Sequence, residues 1–199
     1  MTVAMSYYGL ILINTSLMTL GIENHSPATG SSNATAPDRC RMLTDKDYQS
    51  LIFTTFGEMF GVPLLLLLLA RFGRRIICTI NFSSASICFL MLLLIPRHDP
   101  WFINMITFIA RMFINAQFGL MYLYTMEVYP TVVRAIAVGC ASSMARVGAM
   151  ITPYLAQVLI KQTFHGTIGI YVTVTLLAAL FALLLPIETR GRELKVSSL

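Results

Sequence analysis

Six apolar blocks, each about 20 residues long, constrain this chain more than any other feature. An α-helix rises 1.5 Å per residue, so about 20 residues cross the roughly 30 Å hydrocarbon core of a bilayer. The blocks cover about 1–20, 48–70, 76–95, 101–126, 135–160 and 167–186. Because lipid offers no partners for backbone polar groups, each block is predicted to be a helix. The sequence therefore predicts an all-α, polytopic membrane bundle of six transmembrane helices.

The composition supports the same class of protein. The chain is 56% hydrophobic and only 12% charged, whereas about 25% of the residues of a soluble domain are charged. Its net charge of +5 comes without a basic run interleaved with aromatics, the pattern of a nucleic-acid surface. The lipid bilayer is therefore an expected partner, and nucleic acid is not.

The motifs of metal sites, cofactor sites and common enzymes are missing from the sequence. There is no CxxC, and His25, His98 and His165 fall in three different loops, so neither a metal nor a cofactor is expected. No HExxH occurs, and the spans contain no Ser/His or paired-Asp arrangement. The missing GxxxxGK[ST] motif argues against direct coupling to ATP. We therefore expect a protein that is not an enzyme.

The loops differ in charge, and this predicts the orientation. Seven basic residues fall in the short loops 71–75 and 127–134 and the tail 187–199, against five on the other side, and the dense clusters are all among the seven. These segments and both termini are therefore predicted to be cytoplasmic. The long loop 21–47 then lies on the lumenal or extracellular side, where the sequons at Asn24 and Asn33 are candidate glycosylation sites. The first charge is Glu23, so residues 1–20 lack the positive start of a signal peptide and are predicted to stay as a span.

Three charged residues lie deep inside predicted spans. Arg111 is ten residues from Trp101, about 15 Å along a helix, and Arg146 and Glu58 lie at similar depth. A central arginine costs roughly 2.5–3.5 kcal/mol on insertion scales, so these side chains are expected to face the bundle interior or a watery cavity.

Helical spacing places these charges on polar stripes. The stripes are Thr54, Glu58 and Gly61 in the second span; Asn104, Phe108, Arg111, Asn115, Phe118 and Tyr122 in the fourth; and Gly139, Ser142, Arg146, Ala149, Pro153 and Gln157 in the fifth. Two interpretations stay open: an Arg–Glu pair that fixes helix packing, or a cavity in which a guanidinium meets a substrate. The candidate cavity residues are Glu58, Arg111, Asn115, Tyr122, Arg146 and Gln157.

Three motifs line the predicted cytoplasmic rim. They are "ARFGRR" with Arg71, Gly73, Arg74 and Arg75, "EVYPTVVR" with Glu127, Pro130 and Arg134, and "PIETRGREL" with Glu188 and Arg190. They are explained either by ordinary positive-inside anchoring or by a charge network that breaks when a gate opens.

These motifs carry a resemblance to a known family. "ARFGRR" is similar to the DRxGRR loop of major facilitator superfamily transporters, "YLYTMEVYPTVVRA" to their ExxPxxxR element, and "LPIETRGREL" to the PETKGR tail of sugar-porter-like members. "SYYGL", "FIARMFI" and "ARVGAMITPYLAQVL" resemble most the synaptic-vesicle-2-related branch, near the organic-ion transporters. In one departure, Ala70 stands where the family pattern has an acidic residue, which weakens a gating role for Arg71 and Arg75.

The resemblance implies more than the residues alone. It covers spans seven to twelve of a twelve-span fold, so the chain is expected to be a fragment, a short isoform or an incomplete gene product. The implied partner is the N-terminal six-helix half, on the same parent chain or separate. The implied function is secondary or facilitative transport of a small organic ionic or polar solute, by alternating access, in a vesicle or plasma membrane. The alternative is a non-transporting membrane interaction protein or an inactive fragment.

Overall fold

The computed structural model describes residues 1–23, 45–94, 100–159 and 164–184, and every regular element in them is helical. In chain order the helices are α1 (Thr2–Glu23), α2 (Asp45–Arg71), α3 (Arg74–Leu94), α4 (Pro100–Val128), α5 (Thr131–Pro153), which continues as a π-helical segment (Tyr154–Leu159), and α6 (Phe164–Leu183). The prediction of an all-α fold is confirmed. The predicted sites at Asn24, Asn33, Glu188 and Arg190 lie outside the described residues.

Length and hydropathy identify membrane-crossing helices among these elements. Within the described ranges, five helices are long and apolar enough to span a bilayer: α2, α3, α4, α5 with its π segment, and α6. Helix α1 is 22 residues long and consists mostly of apolar residues. The chain is therefore a multi-pass membrane protein, while the side on which each helix end lies remains a prediction.

Helix α4 holds the centre of the bundle, where it packs against α1, α2, α3 and α5. Helix α3 lies between α4 and α6, and α1 packs against α5. Between α3 and α6 the Phe89 ring stacks on Tyr171, with ring centroids 5.5 Å apart. Both side chains are almost fully buried, so this aromatic pair anchors the larger apolar core of the part of the chain that the structure describes.

Small residues allow α2 and α4 to lie unusually close. A Cβ at Gly57 would lie 2.6 Å from the carbonyl oxygen of Phe108, and one at Gly61 would lie 2.9 Å from that of Met112. The GxxxG spacing read from the sequence is therefore a packing feature within the bundle. This close approach brings the polar stripes of α2 and α4 against each other.

Helix α5 changes its winding where Pro153 interrupts it. Proline lacks the N–H for an internal helix bond, and its ring crowds the carbonyl four residues earlier. The helix responds by widening into the π-helical segment Tyr154–Leu159. As a result, Gln157 lies on a wider turn than the regular helical spacing predicts.

Candidate functional site

The two deep charges that meet are Arg111 and Glu58. Arg111 Nη1 on α4 donates to Glu58 Oε1 on α2 at 3.1 Å, and the exposed fractions of their side chains are 6% and 23%. This result decides part of the question left open by the sequence: the partner of Glu58 is Arg111, not Arg146. Burial of both groups is expected to be tolerated because each charge offsets the other.

Two hydroxyl groups extend this ion pair. The Tyr7 hydroxyl on α1 donates to Glu58 Oε2 at 3.0 Å, and Arg111 Nη1 also donates to Thr55 Oγ1 at 3.2 Å. Both carboxylate oxygens of Glu58 are thus engaged, by groups from two different helices. The pair is the centre of a polar cluster that joins α1, α2 and α4.

Amide side chains fix the backbone around the cluster. Asn115 Nδ2 on α4 donates to the carbonyl oxygen of Glu58 at 2.7 Å, and Asn14 Nδ2 on α1 donates to Thr54 Oγ1 at 3.3 Å. Thr54 in turn donates to the Leu51 carbonyl oxygen at 3.0 Å. The two asparagine hydrogen bonds tie α2 to α4 and to α1, and the Thr54 bond lies within α2, so the backbone that carries Glu58 is held beside Arg111.

The guanidinium of Arg111 is only partly engaged. An arginine carries five N–H donors in a planar fork. Nη1 makes both described contacts, whereas Nε is buried and has no hydrogen-bond partner among the described residues. Chemically, the site can exchange Glu58 for another carboxylate or phosphate on the same guanidinium, since Arg binds all of these groups through charge-assisted bonds.

Arg146 lies apart from this cluster. Its side chain is exposed on α5, and no ion pair or hydrogen bond joins it to another residue in the described part of the chain. Gln157 is also exposed, in the π-helical segment. Tyr122 is half-buried on α4, packs against Phe118 at a centroid distance of 5.5 Å, and lines a void of about 140 Å³ between α1, α4 and α5. The structure therefore does not bring all six predicted cavity residues to one point.

The predicted rim contains a second ion pair. Arg74 Nε donates to Glu127 Oε2 at 3.1 Å, and Arg74 Nη2 donates to Glu127 Oε1 at 2.9 Å. This fork-to-carboxylate contact joins the first turn of α3 to the end of α4. Both side chains are about one-fifth exposed, with values of 22% and 19%. Such a pair can open more readily than a buried one, because water replaces the lost contacts.

The other rim residues hold helix ends in place. The Gly73 carbonyl oxygen accepts the Ile77 N–H at 3.1 Å, and the Arg75 guanidinium donates to the carbonyl oxygen of Leu183 at the end of α6. Pro130 adopts an extended conformation before α5, and its carbonyl oxygen accepts the Arg134 N–H at 3.1 Å. Arg71 ends α2.

Sequence reasoning missed Tyr7 and Thr55 as members of the cluster. A signal for Tyr7 existed: it lies seven residues, or two helical turns, before Asn14, so the first apolar block carries a polar face of its own. Thr55 lies three residues before Glu58 and so shares its side of α2. Both signals are weak, because a tyrosine or a threonine in a span is common.

Comparison with known proteins is consistent with this architecture. The family model "Major Facilitator Superfamily" matches residues 1–198. The chain is 40% identical over 196 residues to "Synaptic vesicle 2-related protein" of Bos taurus, 38% identical over 194 residues to "Putative transporter svop-1" of Caenorhabditis elegans, and 34% identical over 201 residues to "Putative transporter SVOPL" of Homo sapiens. These matches cover 98%, 96% and 97% of this chain but only 35%, 36% and 40% of the relatives' own lengths.

The resemblance read from the rim motifs is thereby confirmed. The family match extends over nearly the whole chain, and the relatives' names place it beside synaptic-vesicle-2-related proteins. The helical bundle and its apolar spans agree with that assignment. The chain belongs to the Major Facilitator Superfamily, a family of membrane transporters.

Proposed function

We propose that this chain supplies one wall of the solute pathway in a secondary or facilitative transporter that works by alternating access. The observation that carries the proposal is the Glu58–Arg111 pair, tied to Tyr7 on a third helix. A polar cluster in a membrane span is expensive, and such groups mark substrate or ion pathways by default. The proposed solute is a small organic ion or polar molecule that competes for this cluster or for Arg146.

The uneven burial of the helices supports a partner half. Only 17% of the span in α2 and 11% of that in α5 are buried, against 44% of that in α3. Helices α2 and α5 also carry two of the three deep charged residues, Glu58 and Arg146. A second six-helix half that covers the exposed surfaces of these helices would enclose Arg146 and the part of Glu58 that is still exposed, as in transporters built from two repeats.

The Arg74–Glu127 pair is the proposed gate contact. It joins two helix ends at the rim that the loop charges assign to the cytoplasm, and it remains accessible to water. Opening of this rim would separate α3 from α4 and break the pair. We propose that both termini also lie on the cytoplasmic side. The membrane is proposed to be a vesicle membrane or the plasma membrane.

A reconstituted uptake assay tests the proposal. The chain is co-expressed with its complementary half, meaning the segment of the full-length Bos taurus relative that it does not match. Proteoliposomes of the assembly are given a panel of labelled organic anions and cations. We expect saturable uptake of at least one compound, lost in the double variant Glu58→Gln/Arg111→Gln. Saturable uptake that survives in a folded double variant would contradict a role for the cluster.

A second candidate is a membrane interaction protein without transport. The chain spans only 35% of the length of its Bos taurus relative, and its exposed α2 and α5 faces offer surfaces for a partner. This candidate predicts that the chain binds the complementary half in a pull-down, while the proteoliposomes show no uptake of any compound in the panel.

A further inference from the structure

A second polar cluster, separate from the Glu58–Arg111 site, lies inside the bundle. Ser6 on α1, Asn81 on α3, Gln117 on α4 and Thr175 on α6 line one small void. Their exposed fractions are 2%, 0%, 2% and 0%. The apolar residues around the same void include Ile114, so four helices converge on a polar point within a mostly apolar core.

Four polar atoms of this cluster lack partners among the protein's described groups, whereas the Thr175 hydroxyl donates to the Tyr171 carbonyl oxygen on its own helix at 2.7 Å. The four atoms are Ser6 Oγ, both amide atoms of Asn81 and Gln117 Oε1. Gln117 Nε2 donates to Cys78 Sγ at 2.9 Å, which fixes the orientation of the amide group. Its oxygen, Gln117 Oε1, has no hydrogen-bond partner among the described residues. A buried polar group without a hydrogen bond costs about 1–3 kcal/mol. Several such groups around one void point to a ligand.

The size of the void limits what that ligand can be. Its volume is about 10 Å³, and a cavity of roughly 10–15 Å³ holds a single water molecule. An organic solute or a hydrated ion does not fit. We propose that this void is a binding site for one structural water molecule that bridges α1, α3 and α4.

The chemistry of the cluster favours water over a bare cation. Asn81 presents both an N–H donor and an oxygen acceptor, and Gln117 presents an acceptor. A water molecule accepts a hydrogen bond from the Asn81 N–H and donates hydrogen bonds to the Asn81 and Gln117 oxygens. A cation binds only the oxygen atoms and leaves the N–H without a partner. The cluster also contains no carboxylate, which a cation site in an apolar interior would need to balance its charge.

Hydroxyl-radical footprinting by X-ray radiolysis tests this site in the chain reconstituted into nanodiscs. Radicals form from the bound water itself and oxidise the side chains beside it. Ile114 lines the void, whereas Ile168 is equally buried but does not. We expect several-fold more oxidation at Ile114 than at Ile168, and loss of this excess in Asn81→Leu, which fills the void with methyl groups.

A second variant and two control results complete the test of the water site. Gln117→Met removes the acceptor at nearly constant volume and should also lower Ile114 oxidation, which provides a second variant if Asn81→Leu does not fold. Equal oxidation of Ile114 and Ile168 in the unaltered chain would show a dry void and overturn the proposal. Ile114 oxidation that falls when sodium replaces choline in the buffer would also overturn it, in favour of a cation.

Discussion

Arg111 Nη1 lies 3.1 Å from Glu58 Oε1, so the buried arginine of α4 is neutralised by the carboxylate of α2. Each of these residues is costly in a membrane span when alone. Together, and with the Tyr7 hydroxyl on the second carboxylate oxygen, they form a group with little net charge. The pair can therefore serve both packing and transport, and the experiments must separate these two roles.

The first prediction concerns the stability of this ion pair. Glu58→Gln leaves a guanidinium that is only 6% exposed without its counter-charge. Removing one partner of a buried pair costs on the order of 3–5 kcal/mol, and the 23% exposure of Glu58 places the expected loss near the lower end. We expect a clear fall in the thermal unfolding midpoint in detergent, and a smaller fall for Arg111→Gln, because the orphaned carboxylate is more exposed and keeps Tyr7.

The double variant Glu58→Gln/Arg111→Gln completes the cycle. It contains no unpaired charge, so its unfolding midpoint should lie above that of Glu58→Gln. Additive losses in the double variant would show that the two side chains stabilise the bundle independently of each other.

The second prediction concerns the close contact between α2 and α4. Gly57→Ala would place a Cβ 2.6 Å from the backbone oxygen of Phe108, which cannot rotate away as a side chain can. The helices must separate, which lengthens the contact between Glu58 and Arg111. We expect a lower unfolding midpoint for Gly57→Ala, measured by scanning fluorimetry in detergent.

Gly169→Ala in α6 is the matched control for this prediction. A Cβ at Gly169 would have no neighbouring atom within 4 Å, and alanine favours a helix by about 0.8–1.0 kcal/mol over glycine. The midpoint of this variant should stay the same or rise. Equal losses for the two substitutions would mean that helix contact does not determine the effect.

The third prediction concerns the bidentate pair at the rim. Arg74→Lys keeps the charge but loses the fork that meets both oxygens of Glu127. Because both side chains are partly exposed, we expect a loss of only about 1 kcal/mol or less in unfolding free energy. The loss should shrink at high salt, as measured by unfolding at low and high ionic strength.

The gate role of the Arg74–Glu127 pair is supported if Arg74→Lys changes the rate of uptake by more than its loss of unfolding free energy explains. If Arg74→Lys changes the rate of uptake in the two-half assembly by no more than its stability loss explains, the pair is only a structural contact.

The helical fold could be predicted from the sequence because it depends on properties of short segments of the chain. Block length and hydropathy decide whether a segment spans a bilayer. The predicted blocks 48–70, 76–95 and 101–126 overlap the helices α2, α3 and α4, while the bounds of the membrane spans stay a prediction. The stripe containing Thr54, Glu58 and Gly61 was expected only to face the bundle interior or a cavity, and in the structure it lies on the side of α2 that contacts α4 and α1.

The pairing of the charges could not be predicted in the same way. Glu58 had two arginines at matching depth, Arg111 and Arg146, and helical spacing gives no information about which helices are neighbours. That choice depends on the close contact at Gly57 and Gly61, which places α2 against α4. The π-helical segment after Pro153 could not be predicted for the same reason. A proline predicts that the helix is disturbed, but the surrounding packing decides whether the disturbance is a kink or a π-helical turn.

The last prediction concerns Arg146. Its side chain is exposed and unpaired within the described residues, so Arg146→Ala removes no contact that holds this half together. If it meets a solute in the cavity between the halves, its loss removes a charge-assisted bond worth about 1.5–3 kcal/mol. We expect uptake in the two-half assembly to fall by about tenfold or more, with the expression level and the unfolding midpoint of the chain near normal. Arg111→Ala is the contrasting variant, because it should lower both uptake and stability. A loss of expression in Arg146→Ala would instead indicate that the guanidinium packs against the other half.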